Sequence, residues 1–396
     1  MDLDLLQGST LPRPDYLGGG ILNLMASLLR ALGGESDHPS LRLLPPEGLE
    51  GFTNLLLLVI DGLGADWLAR QAPTGLLSQH RIGTLSSVFP PTTASAITTF
   101  LTGEPPQRHA ITGWFTYFRE LGCVLSVLPG HPRYGGSGYR QAGVDLIQLL
   151  GHRPLANRIP IRTFVVSPQH IANSDYNLAH LGSARCQPYA DLPDMFRQAN
   201  RLLRADRDPK YLYLYWPGLD SLGHEAGMAS QTLNRHLAAI EAALADFLVA
   251  AAGTRTLILV TADHGLIDTQ PEDVIFLADH PRLESCLALP LCGEPRAAYC
   301  YLRPGRVADF ESYCKDVFAD RVLVKPSQEL LAAGLFGPGP PHPRLEERIG
   351  DYTLFPLGNR LIRDHLPSEK PFKQIGVHGG LSREELMVPL CQLRTT

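Results

Sequence analysis

Four short segments of this chain set carboxylates and imidazoles in surroundings that suit a metal ion. Asp61 is followed by Gly62-Leu63-Gly64, Asp220 stands four residues before His224, Asp263 is joined to His264, and His378 lies between Val377 and Gly379. A fifth segment, Phe89–Gly103, offers hydroxyls at Thr92, Thr93 and Ser95, directly after Pro90 and Pro91. Aspartate and histidine ligands without cysteine suit catalytic zinc, or manganese, rather than a closed structural zinc site. Two ions are the natural count. One division gives Asp61, Thr93, Asp263 and His264 to one ion, and Asp220, His224 and His378 to the other. Paired ions can clamp the attacking and leaving oxygens of a phosphoryl group. A hydroxyl held by one of them is acidified into a nucleophile. Each residue alone has a plainer reading. A threonine at a helix start is usually an N-cap, Asp61 could cap a helix around Asp66–Gln71, and His109 in its turn reads as a structural hydrogen-bonder. Taken jointly, the segments favour the metal reading.

Three of these segments follow runs that must be strands. Asn54–Ile60 is continuously apolar, as in a strand buried on both faces, and Thr256–Val260 repeats the pattern. Tyr211–Trp216 precedes Asp220. Open α/β sheets bind their ligands at the carboxyl ends of such strands. Gly83–Phe89 predicts another strand, leading into a helix that begins near Thr93. A helical turn would place Asp220 and His224 on one face. Further helices are predicted at Ile21–Leu32, Leu192–Arg204 (capped by Asp191, with Pro193 in the first turn) and Thr232–Ala251. Ser382 and Glu385 form a capping box. Phe115–Leu128 reads as strand, turn and strand. Residues 266–372 hold strand-like pieces at Arg296–Leu302 and Arg321–Val324, and helix around Val307–Phe318. Residues 129–185 have weak periodicity and one clear strand, Arg162–Ser167. They are expected to form an insertion or cap region facing the substrate.

The 396 residues are 44% hydrophobic and 19% charged, which fits one large α/β catalytic domain spanning 1–396. A net charge of -5 gives no electrostatic case for a nucleic-acid partner. The longest strongly apolar run, Leu55–Ile60, is too short to span a bilayer, and no basic-then-apolar leader opens the chain. The expectation is therefore no membrane partner and a cytoplasmic location. Seven scattered cysteines with no CxxC pair are expected as reduced, mostly buried thiols.

The segments Val59–Gly62, Phe89–Gly103, Asp220–His224, Ala262–Gly265 and Gly376–Gly379 run in the order found in the alkaline phosphatase superfamily. Together they resemble its nucleotide pyrophosphatase/phosphodiesterase-like branch across residues 54–390. The resemblance implies an α/β fold, with an alkaline-phosphatase-like mixed sheet between helix layers. It implies two zinc ions, on the ligand division already given. It also implies a covalent intermediate on Thr93, which stands ten residues before Gly103 as the branch's nucleophile does. The substrate would be small and phosphorylated, a nucleotide included, and cleaved at a phosphodiester or pyrophosphate bond. One position departs from the pattern: Trp114 stands where eukaryotic-type members carry an asparagine that holds a non-bridging oxygen. The segment around His378 is also similar to cofactor-independent phosphoglycerate mutases, but their serine nucleophile and additional large domain have no counterpart here. The alternatives are a phosphomonoesterase, sulfatase or phosphonate hydrolase on the same scaffold, or a non-catalytic protein that retains the metals. Threonine weighs against most sulfatases, and the intact ligand set weighs against a decayed site.

Overall fold

The apolar runs become the middle of a seven-stranded sheet. A computed structural model describes residues 11–367, 369 and 373–395 of the chain. The first ten residues of the leader therefore lie outside the described residues. In chain order the sheet's strands are β1 (Asn54–Ile60), β2 (Arg81–Ser86), β3 (Arg162–Pro168), β4 (Arg185–Tyr189), β5 (Lys210–Trp216), β6 (Thr256–Thr261) and β7 (Met387–Arg394). Their spatial order is β2-β7-β6-β1-β5-β3-β4. β1 is central and all seven of its residues are buried, as its apolar composition requires. The pairings are parallel except those of β7, which runs antiparallel to both β2 and β6. The sheet is thus mixed, and helices flank it, among them Leu192–Arg204 and Gln231–Ala250, which pack on each other.

A second seven-stranded sheet is antiparallel throughout. It is assembled from Phe115–Phe118, Cys123–Ser126 and His131–Pro132 on one side and four strands between Cys292 and Pro356 on the other. It has its own apolar clusters, around Phe89, Tyr299 and Phe336 and around Phe310 and Leu354.

Several boundaries differ from the sequence reading. The strand expected at Gly83–Phe89 runs from Arg81 to Ser86, and the chain then turns through Phe89. The region 129–185 is not wholly an insertion. Its strand β3 lies inside the central sheet, and β4 follows at the sheet edge. Residues 11–50, whose role the sequence left unread, support the Phe89–Gly103 segment. Their helix Ile21–Ala31 packs on the helix Thr93–Thr102, and the Tyr16 hydroxyl accepts from the Phe89 N–H at 3.1 Å. All seven cysteines are free thiols, five of them buried. Among the described residues no helix is long and apolar enough to cross a membrane.

Candidate metal centre and nucleophile

Parallel register delivers three of the segments to one edge. Ile60 pairs with Trp216 and Val59 with Thr261, so Asp61, Asp220 and Asp263 leave the sheet side by side. β7 enters from the same edge, since Met387 pairs with Ser86. That brings His378 and the turn capped by Ser382 and Glu385 to the site. The chain leaving β2 delivers Thr93 there as the first residue of a ten-residue helix. Gly62 permits the crowding: its φ is +78°, and a Cβ there would lie 3.0 Å from the Asp220 Cα.

The seven side chains converge. Thr93 Oγ1 is 3.2 Å from His264 Nε2 and 3.5 Å from Asp61 Oδ2. His264 Nε2 is 3.3 Å from Asp61 Oδ1 and 3.5 Å from Asp263 Oδ2. His224 Nε2 meets Asp220 Oδ2 at 3.2 Å, one helical turn apart on Gly218–Ala226. Ligand atoms of Asp61, Asp263 and His264 lie within 4.8 Å of one another, and so do those of Asp220, His264 and His378. His264 therefore borders both groups rather than one, because its ring stacks on His378 with centroids 3.8 Å apart.

The donor set fits cations. His224 Nδ1 donates to the Gly376 carbonyl at 2.7 Å, and His264 Nδ1 to the Gly265 carbonyl at 3.1 Å. Those bonds engage each Nδ1 and leave each Nε2, beside carboxylate oxygens, to lend its lone pair to a cation or, without one, to carry a proton. Asp61 Oδ1, Asp220 Oδ1, Asp263 Oδ2 and His378 Nδ1 are buried with no hydrogen-bond partner among the described residues. Such atoms are costly unless something positive satisfies them. Electrostatics agree. Burial, then the charges of Asp263 and Asp220, raises Asp61 well above the usual carboxylate range. Burial is also the largest cause of the rise at Asp263. Burial lowers His378 well below the usual imidazole value, with His264 adding to the effect. Asp220 goes the other way: burial opposes its ionisation, but the neighbouring His224 outweighs it and holds the carboxyl low.

Several residues here carried no signal in the sequence. Tyr215 donates its hydroxyl hydrogen to Asp61 Oδ2, because parallel pairing sets it beside Val59 at the end of β5. Ser87 donates to the Asp263 carbonyl. Glu294 accepts from Thr92 Oγ1 at 2.7 Å and from the Trp114 N–H at 2.6 Å. Thr92 is therefore not an ordinary N-cap. It holds the N-cap position but makes no side-chain cap bond, since its hydroxyl is engaged by Glu294. Gly379 makes room for that carboxyl: its φ is +107°, and a Cβ there would lie 2.6 Å from the Glu294 Cβ. His109 is structural, as its turn implied. It is buried, Nε2 pairs with Thr99 Oγ1 at 3.2 Å, and Nδ1 accepts from the Ile111 N–H at 3.1 Å.

Two cavities meet at Thr93, and Trp114, Asp220 and Ser221 line both. One, of about 400 Å³, is walled by Ile97, Leu101, Val165, Tyr176 and Tyr213. The other, of about 490 Å³, holds His224, His378, Glu294, Arg363 and Lys373. Two larger hollows of about 580 and 570 Å³ contain none of the seven convergent residues, so the chemistry belongs to the smaller pair.

A family profile for type I phosphodiesterase / nucleotide pyrophosphatase matches residues 55–320. Among solved structures, the fold is similar to murine ectonucleotide pyrophosphatase / phosphodiesterase 5. The TM-score is 0.65 at 16% identity, over 85% of this chain and 87% of that one. An inactive form of the same murine protein has been solved in complex with AMP. The fold is also similar to phosphonoacetate hydrolase from Sinorhizobium meliloti 1021 in complex with phosphonoacetate. There the TM-score is 0.62 at 18% identity, over 85% and 89% of the two chains. No curated protein sequence matches.

Proposed function

The chain belongs to the type I phosphodiesterase / nucleotide pyrophosphatase family, and from that premise we propose that it is a metal-dependent phosphoryl hydrolase using Thr93 as a covalent nucleophile. The observation that carries the reading is the convergence of Asp61, Asp220, His224, Asp263, His264 and His378 around Thr93, with four buried polar atoms left unpartnered. Asp61, Thr93, Asp263 and His264 would hold one divalent cation, and Asp220, His224 and His378 the other, with zinc favoured by the donor types. Bound there, the cations supply the charge that acidifies the Thr93 hydroxyl and neutralises phosphoryl oxygens.

The chain's own part follows from its hydrogen bonds. Tyr215 holds Asp61, and the Gly265 and Gly376 carbonyls hold the two imidazole rings in register with it. Thr93 Oγ1 gives up its proton to solvent and attacks phosphorus, and the bond to the leaving group breaks with its electron pair passing to the leaving oxygen. Water then cleaves the phosphothreonine ester and restores the hydroxyl. Free N–H groups at the start of the Thr93–Thr102 helix suit a non-bridging oxygen, a task that Trp114 cannot perform through a side-chain amide. The small phosphorylated substrate, a nucleotide included, would be cut at a phosphodiester or pyrophosphate bond, with its organic group in the cavity walled by Tyr176 and Tyr213.

One observation favours a second reading, a phosphonate hydrolase. Arg363 and Lys373 line the cavity beside His224 and His378, where they would face a substrate carboxylate. A panel of p-nitrophenyl monoesters and diesters, pyrophosphates and phosphonates tests both readings, with bound metal measured in the same sample. Diester or pyrophosphate hydrolysis that a chelator abolishes and zinc or manganese restores is the expected result. Inactivity of the metal-loaded protein on every member would end the proposal.

A further inference from the structure

Glu294 is a buried carboxyl that this reaction does not use. It ends the short strand Cys292–Glu294 of the second sheet and is 6% exposed. Its Oε1 takes two hydrogens, from Thr92 Oγ1 and the Trp114 N–H. Thr92 is the residue directly before the nucleophile, and Glu294 lines the same cavity as Thr93, His224 and His378. Two donors on one oxygen suit the ionised form. Burial, only partly offset by the Thr92 and Trp114 hydrogen bonds, pushes Glu294 up to about 7. Cations held by the neighbouring ligands would pull it down again, since nearby positive charge favours the carboxylate.

We propose that Glu294 is a specificity-determining residue: its charge, fixed beside Thr93, admits a phosphoryl group bearing one negative charge and rejects one bearing two. The inference rests on the reading of Thr93 as the nucleophile of a phosphoryl hydrolase. A phosphodiester is a monoanion, whereas a phosphomonoester above neutral pH is a dianion. The second charge adds repulsion from a fixed carboxylate lining the same cavity as Thr93, worth roughly tenfold or more in rate at the effective dielectric of a partly buried site. Two basic side chains share this cavity, but Lys373 is exposed while Glu294 is buried, and Arg363 faces Glu369 at 3.8 Å. Their charges suit a substituent further out, not the reacting phosphoryl group. Glu294 thereby weighs against a phosphonate dianion as the reacting group and in favour of a diester.

The decisive variant is Glu294→Gln. Its side-chain carbonyl can still accept from Thr92 and Trp114, so the charge goes while both hydrogen bonds stay. Wild type and variant, both metal-loaded, are assayed at about pH 8.5 on bis-p-nitrophenyl phosphate and p-nitrophenyl phosphate, a diester and a dianionic monoester. The ratio of diester to monoester kcat/KM is expected to fall roughly tenfold or more in Glu294→Gln, mainly through a faster monoester reaction, with metal content unchanged. Glu294→Asp, which keeps the charge, should hold the wild-type ratio. Should Glu294→Gln not fold, the unmodified protein supplies the answer through inhibition by phenylphosphonate, a dianion, and by its monomethyl ester, a monoanion. The monoanion should bind more tightly. An unmoved ratio, or tighter inhibition by the dianion, overturns the inference while leaving the hydrolase intact. No hydrolysis of either ester by the metal-loaded wild type overturns this inference, and its inactivity on the pyrophosphates and phosphonates as well sinks the hydrolase reading with it.

Discussion

The imidazole rings of His264 and His378 stack at 3.8 Å between centroids, with their planes 24° apart. The two residues belong to different halves of the proposed ligand set, so neither metal position is independent of the other.

His378→Ala should therefore lower occupancy by about one metal per chain and also loosen the second, because the His264 ring loses its support. Asp220→Ala should remove the same ion, since its carboxylate and the His378 nitrogen lie within 4.8 Å. Elemental analysis of both variants checks this. Undiminished metal in either would remove that residue from the ligand set.

Thr93→Ala should lower turnover by about a thousandfold or more, the scale for loss of a covalent nucleophile. Metal should remain, since the carboxylates and imidazoles stay in place. Thr93→Ser keeps the oxygen and should retain part of the activity. Thr92→Ala acts differently: it deprives a buried carboxyl of a hydrogen bond and should cost about 1–3 kcal/mol of stability with a smaller loss of rate. Steady-state kinetics and thermal melts on the three variants decide between the adjacent hydroxyls.

Chelation should destabilise the protein more at higher pH. Burial raises Asp61 and Asp263 in the metal-free fold, with repulsion from Asp263 and Asp220 adding at Asp61 and from Asp220 at Asp263. A carboxyl raised on folding contributes stability that is complete below its ordinary value near 4 and is lost as pH rises through the folded value. The metal-free melting temperature should thus fall as pH rises above about 4, and zinc should restore it most at the upper end of the range. Equal gains from zinc across that range would contradict the repulsion argument.

Acid should act through a different cluster. His152 Nδ1 lies 2.8 Å from His180 Nε2, and its Nε2 is 2.7 Å from the His109 carbonyl. Burial lowers His180 to about 4, and it lowers His109 and His152 well below the usual value. An imidazole lowered on folding contributes stability that is present above its ordinary value near 6.5 and is lost as pH falls through the folded value. Denaturant melts should show a decline from about pH 6.5 toward 4, shallower in His180→Gln. An unchanged slope in that variant would move the effect elsewhere.

Much of the site was readable because each ligand segment sits where local rules apply. Asp61 and Asp263 end continuous apolar runs, Asp220 and His224 share a helical face, and His378 precedes a capping box. Glu294 was invisible. Its partners Thr92 and Trp114 are 202 and 180 residues away, and Cys292-Gly293-Glu294 has no periodicity to mark it as strand. The second sheet was legible in part: strands do fall at Phe115–Leu128, Arg296–Leu302 and Arg321–Val324, but His131–Pro132, Cys292–Glu294 and Tyr352–Pro356 were missed, the first two being only two and three residues long. β4 hid because an edge strand tolerates Pro188 and polar neighbours. β7 hid behind Pro389, which argues against a central strand. Pairing with β6 begins only at Cys391, beside a register shift that takes up the irregularity.

β7 also sets the order in which this molecule can be built. It lies between β2 and β6, two strands that have no other bridge to each other in the sheet order. Until residues 387–394 are available, β2 lacks the strand that joins it to the β6-β1-β5 core. Long-range pairings of this kind are slow, because loop closure must come before the contacts that reward it. Catalytic activity during refolding should therefore appear last, after most helical signal has returned, with insertion of β7 as the step that brings Thr93 and His378 to the edge where Asp61 already stands.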